Sequence, residues 1–206
     1  MLWRLSKPAR SRRAPPAEFC VPCQPTLSPH APTGPGWLHE VKYDGYRLLA
    51  RKSGERVRLW SRNVTEFTDH FAGIAAAVAA LPADSVTLDG EAVVFHLDGH
   101  SNFAALRSRD GGKRAVLVAF DCLRFSDEDL RALPVEERRA RLAGLLDPGD
   151  DRIQFSHALA GDGDTIFRHA CGHGLEGIVS KRLGSRYRSG RSSDWLKTKN
   201  PAFIRR

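Results

Sequence analysis

The 206 residues suffice for one sizeable core, or for one large domain with an incomplete second one. They hold no run of about 18 apolar residues, so no membrane-spanning helix is expected, and the basic N-terminus lacks the apolar stretch of a secretory signal. The net charge of +8 is uneven: residues 1–13 carry +5 and residues 181–206 carry +8, leaving −5 between them. Two basic ends on a less basic body suit a polyanionic partner, most simply a nucleic acid backbone. Four cysteines offer only an isolated Cys20-x-x-Cys23 with His30 nearby. That is no zinc framework, and it fits reduced thiols in a cytosolic compartment.

In chain order, residues 1–36 are rich in proline, arginine and serine and are expected to form an arm crossing the surface. A Pro/Gly approach then ends just before the stretch 37–47. With the two-residue period of a strand, Leu38, Glu40, Lys42 and Asp44 share one face, and Gly45 follows where backbone must bend or admit a ligand. Strands over 46–52 and 56–62 are expected to pair around Ser53-Gly54. After a turn at 63–66, a helix over 69–81 is expected, capped by Thr68 and stopped by Pro82. Phe71, Ile74, Val78 and Leu81 form its apolar stripe. A strand over 86–95 follows, then a turn at Asp98-Gly99 and a short helix over 103–107. Residues 115–125 are apolar on both faces for most of their length, which predicts a central buried strand. Pro134 opens a helix reaching Leu146, 153–157 is a short strand, and a helix over 164–173 ends at Gly174. Strands over 177–182 and 194–199 complete the series. Hairpins rather than strand–helix alternation predict an α+β fold with mainly antiparallel sheets.

Lysine is the scarce cation, with seven lysines against 25 arginines. Arginine stays protonated and cannot serve as an amine nucleophile. Four of the seven lysines (Lys42, Lys181, Lys197 and Lys199) fall within a few distinctive stretches. These stretches are Lys-x-Asp-Gly at 42–45, Ser61-Arg62-Asn63, Asp89-Gly90-Glu91, Glu176-Gly177-Ile178-Val179-Ser180-Lys181, and Trp195-Leu196-Lys197-Thr198-Lys199. Each alone could be a strand with solvated charges. In this order and spacing they resemble the motifs of covalent nucleotidyltransferases. The run over 37–200 resembles the adenylation domain of ATP-dependent DNA ligases, most closely the ligase domain of bacterial end-joining ligases, where segments like HEVKYDGYR, LEGIVSKR and YRSGRSSDWLKTKN occur.

The resemblance implies the nucleotidyltransferase fold, with two mainly antiparallel sheets and flanking helices enclosing a nucleotide. It implies that Lys42 attacks the α-phosphorus of ATP to form lysyl–AMP, and that Glu40 contacts the adenine amino group. Arg47 and Arg62 would hold ribose and phosphate or help place the DNA end. Glu91 would contact the ribose or a metal, Glu176 would be a metal ligand, Phe120 would stack on adenine, and Lys197 and Lys199 would bind the α-phosphate. ATP and Mg²⁺ (or Mn²⁺) are the implied cofactors, and nicked or broken double-stranded DNA in the bacterial cytoplasm, at the nucleoid, is the implied substrate. Two departures stand out. Val64 occupies a position where the family often has glycine, and residues 201–206 form a stub where an OB-fold domain would normally follow. Self-adenylylation is therefore a firmer expectation than unaided sealing, which a separate OB-fold or end-joining protein would assist.

Physical chemistry supports these roles independently. A lysine attacks only as the neutral amine, and its ordinary pKa is about 10.4. Lys197, Lys199 and a bound metal would favour the neutral form of Lys42. Asp44 would oppose it unless it orients the amine or engages the metal. Carboxylate ligands favour Mg²⁺ or Mn²⁺ over zinc. The alternatives are an RNA ligase or capping-type nucleotidyltransferase, and a non-catalytic module binding DNA ends or a repair partner. A P-loop ATPase is disfavoured because no GxxxxGK[ST] occurs.

Overall fold

The strands of the computed structural model, which describes residues 15–147 and 149–205, divide into two sheets. In chain order the elements begin with β1 (Cys23–Leu27), β2 (Trp37–Val41), β3 (Tyr46–Ser53), β4 (Arg56–Ser61), α1 (Ala72–Ala80) and β5 (Ser85–Val93). There follow α2 (Phe103–Arg107), α3 (Gly111–Arg114), β6 (Val116–Phe125), β7 (Glu128–Asp129), α4 (Val135–Leu145) and β8 (Ile153–Phe155). The last are α5 (Gly163–Gly172), β9 (Gly177–Arg182) and β10 (Gly190–Lys199). Sheet A has the order β1-β10-β9-β2, and sheet B the order β4-β3-β5-β6-β7, with β8 also paired to β6. All pairings are antiparallel except β1–β10 and β6–β8. The expected α+β class with mainly antiparallel sheets is what the chain adopts.

Sheet B carries the larger core. Leu48, Ala50, Leu59, Leu88, Leu117 and Ala119 bury one face of it beneath Phe71, Ile74 and Val78 of the α1 region and Leu142 of α4. These apolar side chains recur with period two in the strands and at three- and four-residue intervals in the helices, as one-sided burial demands. The opposite face meets sheet A through a smaller cluster in which Cys23 and Trp195 pack with Leu49, Phe120 and Leu123. Among the described residues no helix is long and apolar enough to cross a membrane.

Three details depart from expectation. Part of the predicted arm is a strand, since β1 pairs in parallel with β10 at the edge of sheet A; residues 1–14 lie outside the described residues. Pro22 and Pro25 hide the strand pattern, and an edge strand tolerates them. The first helix begins at Ala72 after Phe71 rather than after Thr68. The Thr68 hydroxyl instead accepts from Leu59 N–H at 3.0 Å, tying the turn to β4. Finally, β10 starts at Gly190, four residues earlier than 194.

Candidate active site

The segment carrying Lys42 is fixed by sheet A. β2 pairs with β9, and just past the strand Lys42 N–H donates to the Gly177 carbonyl at 3.0 Å. Gly177 has φ +140°, and a Cβ there would lie 2.0 Å from the Thr198 carbonyl oxygen, so only glycine lets β9 approach β10 this closely. Beyond Lys42 the chain crosses to sheet B, with Gly45 wedged against it: a Cβ would sit 2.1 Å from the Ala92 carbonyl oxygen. Strand alternation therefore stops at Val41, which corrects the expectation of a single face. Glu40 lines a cleft between the sheets, Lys42 lines both that cleft and a second cavity, and Asp44 lies in the second alone, with Ser101 and Glu176. There Arg205 donates to Asp44 Oδ1 at 2.5 Å.

Seven of the expected site residues line the cleft together: Glu40, Lys42, Arg47, Arg62, Glu91, Phe120 and Lys197. Glu176 and Lys199 are joined to it by charge rather than by lining it. Lys42 Nζ donates to Glu176 Oε2 at 2.6 Å, and Lys199 Nζ lies 3.3 Å from Glu176 Oε1. One carboxylate thus stands between two lysines at the cleft's mouth. A third lysine, Lys197, has its pKa lowered by burial and by the positive charges of Lys42, Lys199 and Arg62. Burial pushes the Glu91 carboxyl up to about 7; Asp89 and Glu176 add to the rise, while Arg47 and Lys42 oppose it.

The deep end is aromatic. Phe120 is 9% exposed and meets Trp195 edge-on at 6.2 Å, so it serves as core and as cleft wall at once. The Arg47 guanidinium carbon lies 4.6 Å from its ring centroid. Arg47 is committed elsewhere as well: Nε and Nη2 donate to Asp89 Oδ1 and Oδ2 at 2.6 and 2.7 Å, and Nη2 also donates to the Cys23 carbonyl. Asp89 is wholly buried and accepts a further bond from the Tyr187 hydroxyl. Only Nη1 of Arg47 has no hydrogen bond among the described residues, so its expected contact with ribose or phosphate would fall to that nitrogen.

Residues absent from the expected set complete the floor. Glu40 is 2% exposed, and its Oε1 accepts from Arg139 Nη1 and, at 3.0 Å, from Lys181 Nζ. Lys181 also donates to the Phe120 carbonyl at 3.1 Å, and its ammonium lies 4.3 Å from the Trp195 ring centroid. Helical periodicity carried a signal for Arg139. Val135, Arg138, Arg139, Leu142 and Leu145 form the buried stripe of α4, so two arginines occupy apolar positions and need buried acceptors.

Among the described residues no group of three or more His, Cys, Asp or Glu side chains is arranged to hold a metal ion. The carboxylates present suit a hard divalent cation that takes most of its oxygens from water and phosphate, as Mg²⁺ does.

Comparison with known proteins shows the family. Residues 22–199 match the family model of the ATP dependent DNA ligase domain. The multifunctional non-homologous end joining protein LigD of Pseudomonas aeruginosa is 41% identical over 202 residues, covering 94% of this chain and 24% of that protein. The ligase domain of Mycobacterium tuberculosis LigD superposes with a TM-score of 0.77 at 33% identity, covering 87% of this chain and 60% of that one. A mycobacterial DNA ligase D complexed with ATP gives the same TM-score at 34% identity and the same coverage of both chains. The chain spans about a quarter of the length of the full-length end-joining relatives it matches. With the model matched over most of its length, the chain belongs to the family of ATP-dependent DNA ligase domains.

Proposed function

We propose that this chain carries out the nucleotidyl-transfer chemistry of a bacterial DNA ligase in end joining and nick sealing, with Lys42 as the nucleophile. As the free amine, Lys42 Nζ forms a P–N bond to the α-phosphorus of ATP while the bond from that phosphorus to the pyrophosphate oxygen breaks; the amine proton is lost. AMP then passes to the 5′-phosphate of a nicked or broken DNA duplex, from which an adjacent 3′-hydroxyl displaces it. The observation that best supports this is the meeting of Lys42, Lys199 and Glu176 at the mouth of an aromatic-floored cleft, with Lys197 in its wall. Phosphoryl-type transfer depends mostly on positioning and charge neutralisation, and this mouth offers both.

In the same proposal Lys197, Lys199 and Arg62 hold phosphate, Glu40 and Phe120 receive the adenine, and Arg47 steadies the floor. Mg²⁺, when bound, neutralises phosphate charge, with Glu91 and Glu176 as its protein carboxylates. An OB-fold domain, joined or separate, and an end-joining partner would complete sealing on chromosomal DNA at the nucleoid.

The test is incubation with α-labelled ATP and Mg²⁺ followed by denaturing electrophoresis. The wild-type chain is expected to carry label that Lys42→Ala reduces to background, and nicked DNA should discharge it. An unlabelled wild type that still binds DNA ends would instead favour a non-catalytic end-binding module.

A further inference from the structure

Glu40 is held through one carboxylate oxygen. Arg139 Nη1 and Lys181 Nζ both donate to the same oxygen, Oε1. No hydrogen bond among the described residues reaches Oε2, although Glu40 lines the cleft. Arg139 is itself fixed on three further sides. Its Nη2 donates to the Ser156 carbonyl at 2.6 Å, its Nη1 approaches the Phe120 carbonyl at 3.4 Å, and its guanidinium carbon lies 4.7 Å from the Phe155 ring centroid. The network joins β2 and β9 of sheet A to β6 and the end of β8 in sheet B through α4, with Glu40, Arg139 and Lys181 all at most 5% exposed.

We infer that Arg139 is a positioning residue for base selection: it saturates Oε1 of Glu40 and so dedicates Oε2 as the acceptor for the exocyclic amine of adenine. The inference rests on the proposed nucleotidyl transfer and goes beyond it by naming what orients the acceptor. Oε1 is occupied by two fixed cations, so the carboxylate cannot rotate to serve a ligand with either oxygen. A carboxylate offers no donor, so a base that presents an acceptor at this point meets repulsion. Arg139 itself lies behind Glu40 and does not line the cleft.

The same geometry makes a sharper statement about Glu40→Gln. Both neighbours are donors, so they must hold the amide oxygen, and the amide nitrogen then takes the place of Oε2. The cleft would present a donor there, opposed to the adenine amine and complementary to the O6 of hypoxanthine.

The test measures the rate of covalent labelling with ATP, with inosine triphosphate, and with purine riboside triphosphate, which lacks the amine. Wild type is expected to favour ATP over the purine analogue by on the order of 10- to 100-fold, the worth of one hydrogen bond to a charged group. Arg139→Met should cut that ratio at least threefold, whereas a merely structural role would slow both nucleotides equally and leave the ratio unmoved. Arg139→Lys, which keeps a cation beside Oε1 without the fork that fixes it, should lower the ratio by a small factor and less than Arg139→Met does. Glu40→Gln should favour inosine triphosphate over ATP, and adding Arg139→Met should weaken that reversal, since Lys181 alone then holds the amide oxygen.

An ATP preference unchanged in folded Arg139→Met, or retained in folded Glu40→Gln, would overturn the inference while leaving nucleotidyl transfer intact. If Arg139→Met and Glu40→Gln both fail to unfold cooperatively, the milder Arg139→Lys decides. A ratio lowered by at least a small factor with near-normal ATP labelling supports the inference, and an equal loss on both nucleotides overturns it. A wild type that takes label from no nucleotide would remove the proposed function and the inference together.

Discussion

At the deep end of the cleft Glu40, Arg139, Lys181 and Asp89 are all at most 5% exposed, and each has dedicated partners, whereas at the mouth Lys42 and Lys199, 21% and 53% exposed, share Glu176. Removing an ion from water costs several kcal/mol, so a buried charge persists where an opposite charge and hydrogen bonds hold it. That condition makes the deep end rigid, and rigidity is what recognition of a neutral base by one or two hydrogen bonds needs. The mouth can leave its cations incompletely neutralised because water solvates them. The resulting surplus of positive charge would suit the triphosphate of the proposed reaction. Under the proposed function, a single cleft would separate shape reading from charge reading along its length.

The largest stability effect expected from this contrast is at Arg47. Its fork is the only cation hydrogen-bonded to the wholly buried Asp89 among the described residues. Arg47→Met leaves that carboxylate with the Tyr187 hydroxyl alone, and should cost about 3–5 kcal/mol in urea unfolding, as removal of one partner of a buried pair does. Lys199→Met at the mouth should stay within about 0.5 kcal/mol, the usual range for exposed positions. Comparable losses for the two variants would break the contrast.

Much of the mouth was legible in the sequence because its residues lie in short motifs on strand ends. The spacing of Lys197 and Lys199 puts both on one strand face, and Gly45 marks a place where the backbone must bend, which the structure shows as a close approach to Ala92. The fold was legible wherever a face is buried: the hairpin around Ser53-Gly54, the Ile74–Val78 stripe and the doubly buried β6 all follow their apolar periods. Local pattern was insufficient where a partner lies far along the chain. β1 owes its existence to pairing with β10, more than 160 residues away, and Arg139 meets Glu40 across 99 positions. Asp44 leaves the face expected of it because β2 and its alternation end at Val41, before the chain crosses to sheet B.

Glu91 lies between the two regimes and gives an effect that depends on pH. Burial raises its carboxyl from 4.5 to about 7, so the folded chain holds that proton more tightly than the unfolded chain does. The stability this contributes is complete below pH 4.5 and is lost as pH rises to about 7 and through it. Glu91→Gln cannot ionise, so relative to wild type it should gain stability across that window and level off above it. The ceiling is about 3 kcal/mol, lowered because Glu91 is only partly buried. Urea unfolding of both proteins at pH 5 and pH 8 checks this, and an equal difference at the two pH values would show that the carboxyl does not titrate in this window.

The smallest expected effect belongs to the turn that carries Arg62 at the rim. Val64 has φ +65°, the left-handed region, where a β-branched side chain is strained by about 1–2 kcal/mol. The turn is held there by its own hydrogen bonds: Val64 N–H donates to the Ser61 carbonyl at 3.0 Å, and the Ser61 hydroxyl accepts from Asn63 and Thr65 N–H. Val64→Gly removes the strain but adds freedom to the unfolded chain, which returns about 0.5–1 kcal/mol. The net expectation is a gain of about 0.5–1 kcal/mol, with Val64→Ala close to wild type because the Cβ that causes the strain remains. A loss on Val64→Gly would mean that the half-buried isopropyl group contributes more through packing than it costs through backbone strain. The rim would then be held by contacts of the same kind as the floor, and the contrast between the two ends of the cleft would narrow to their charges.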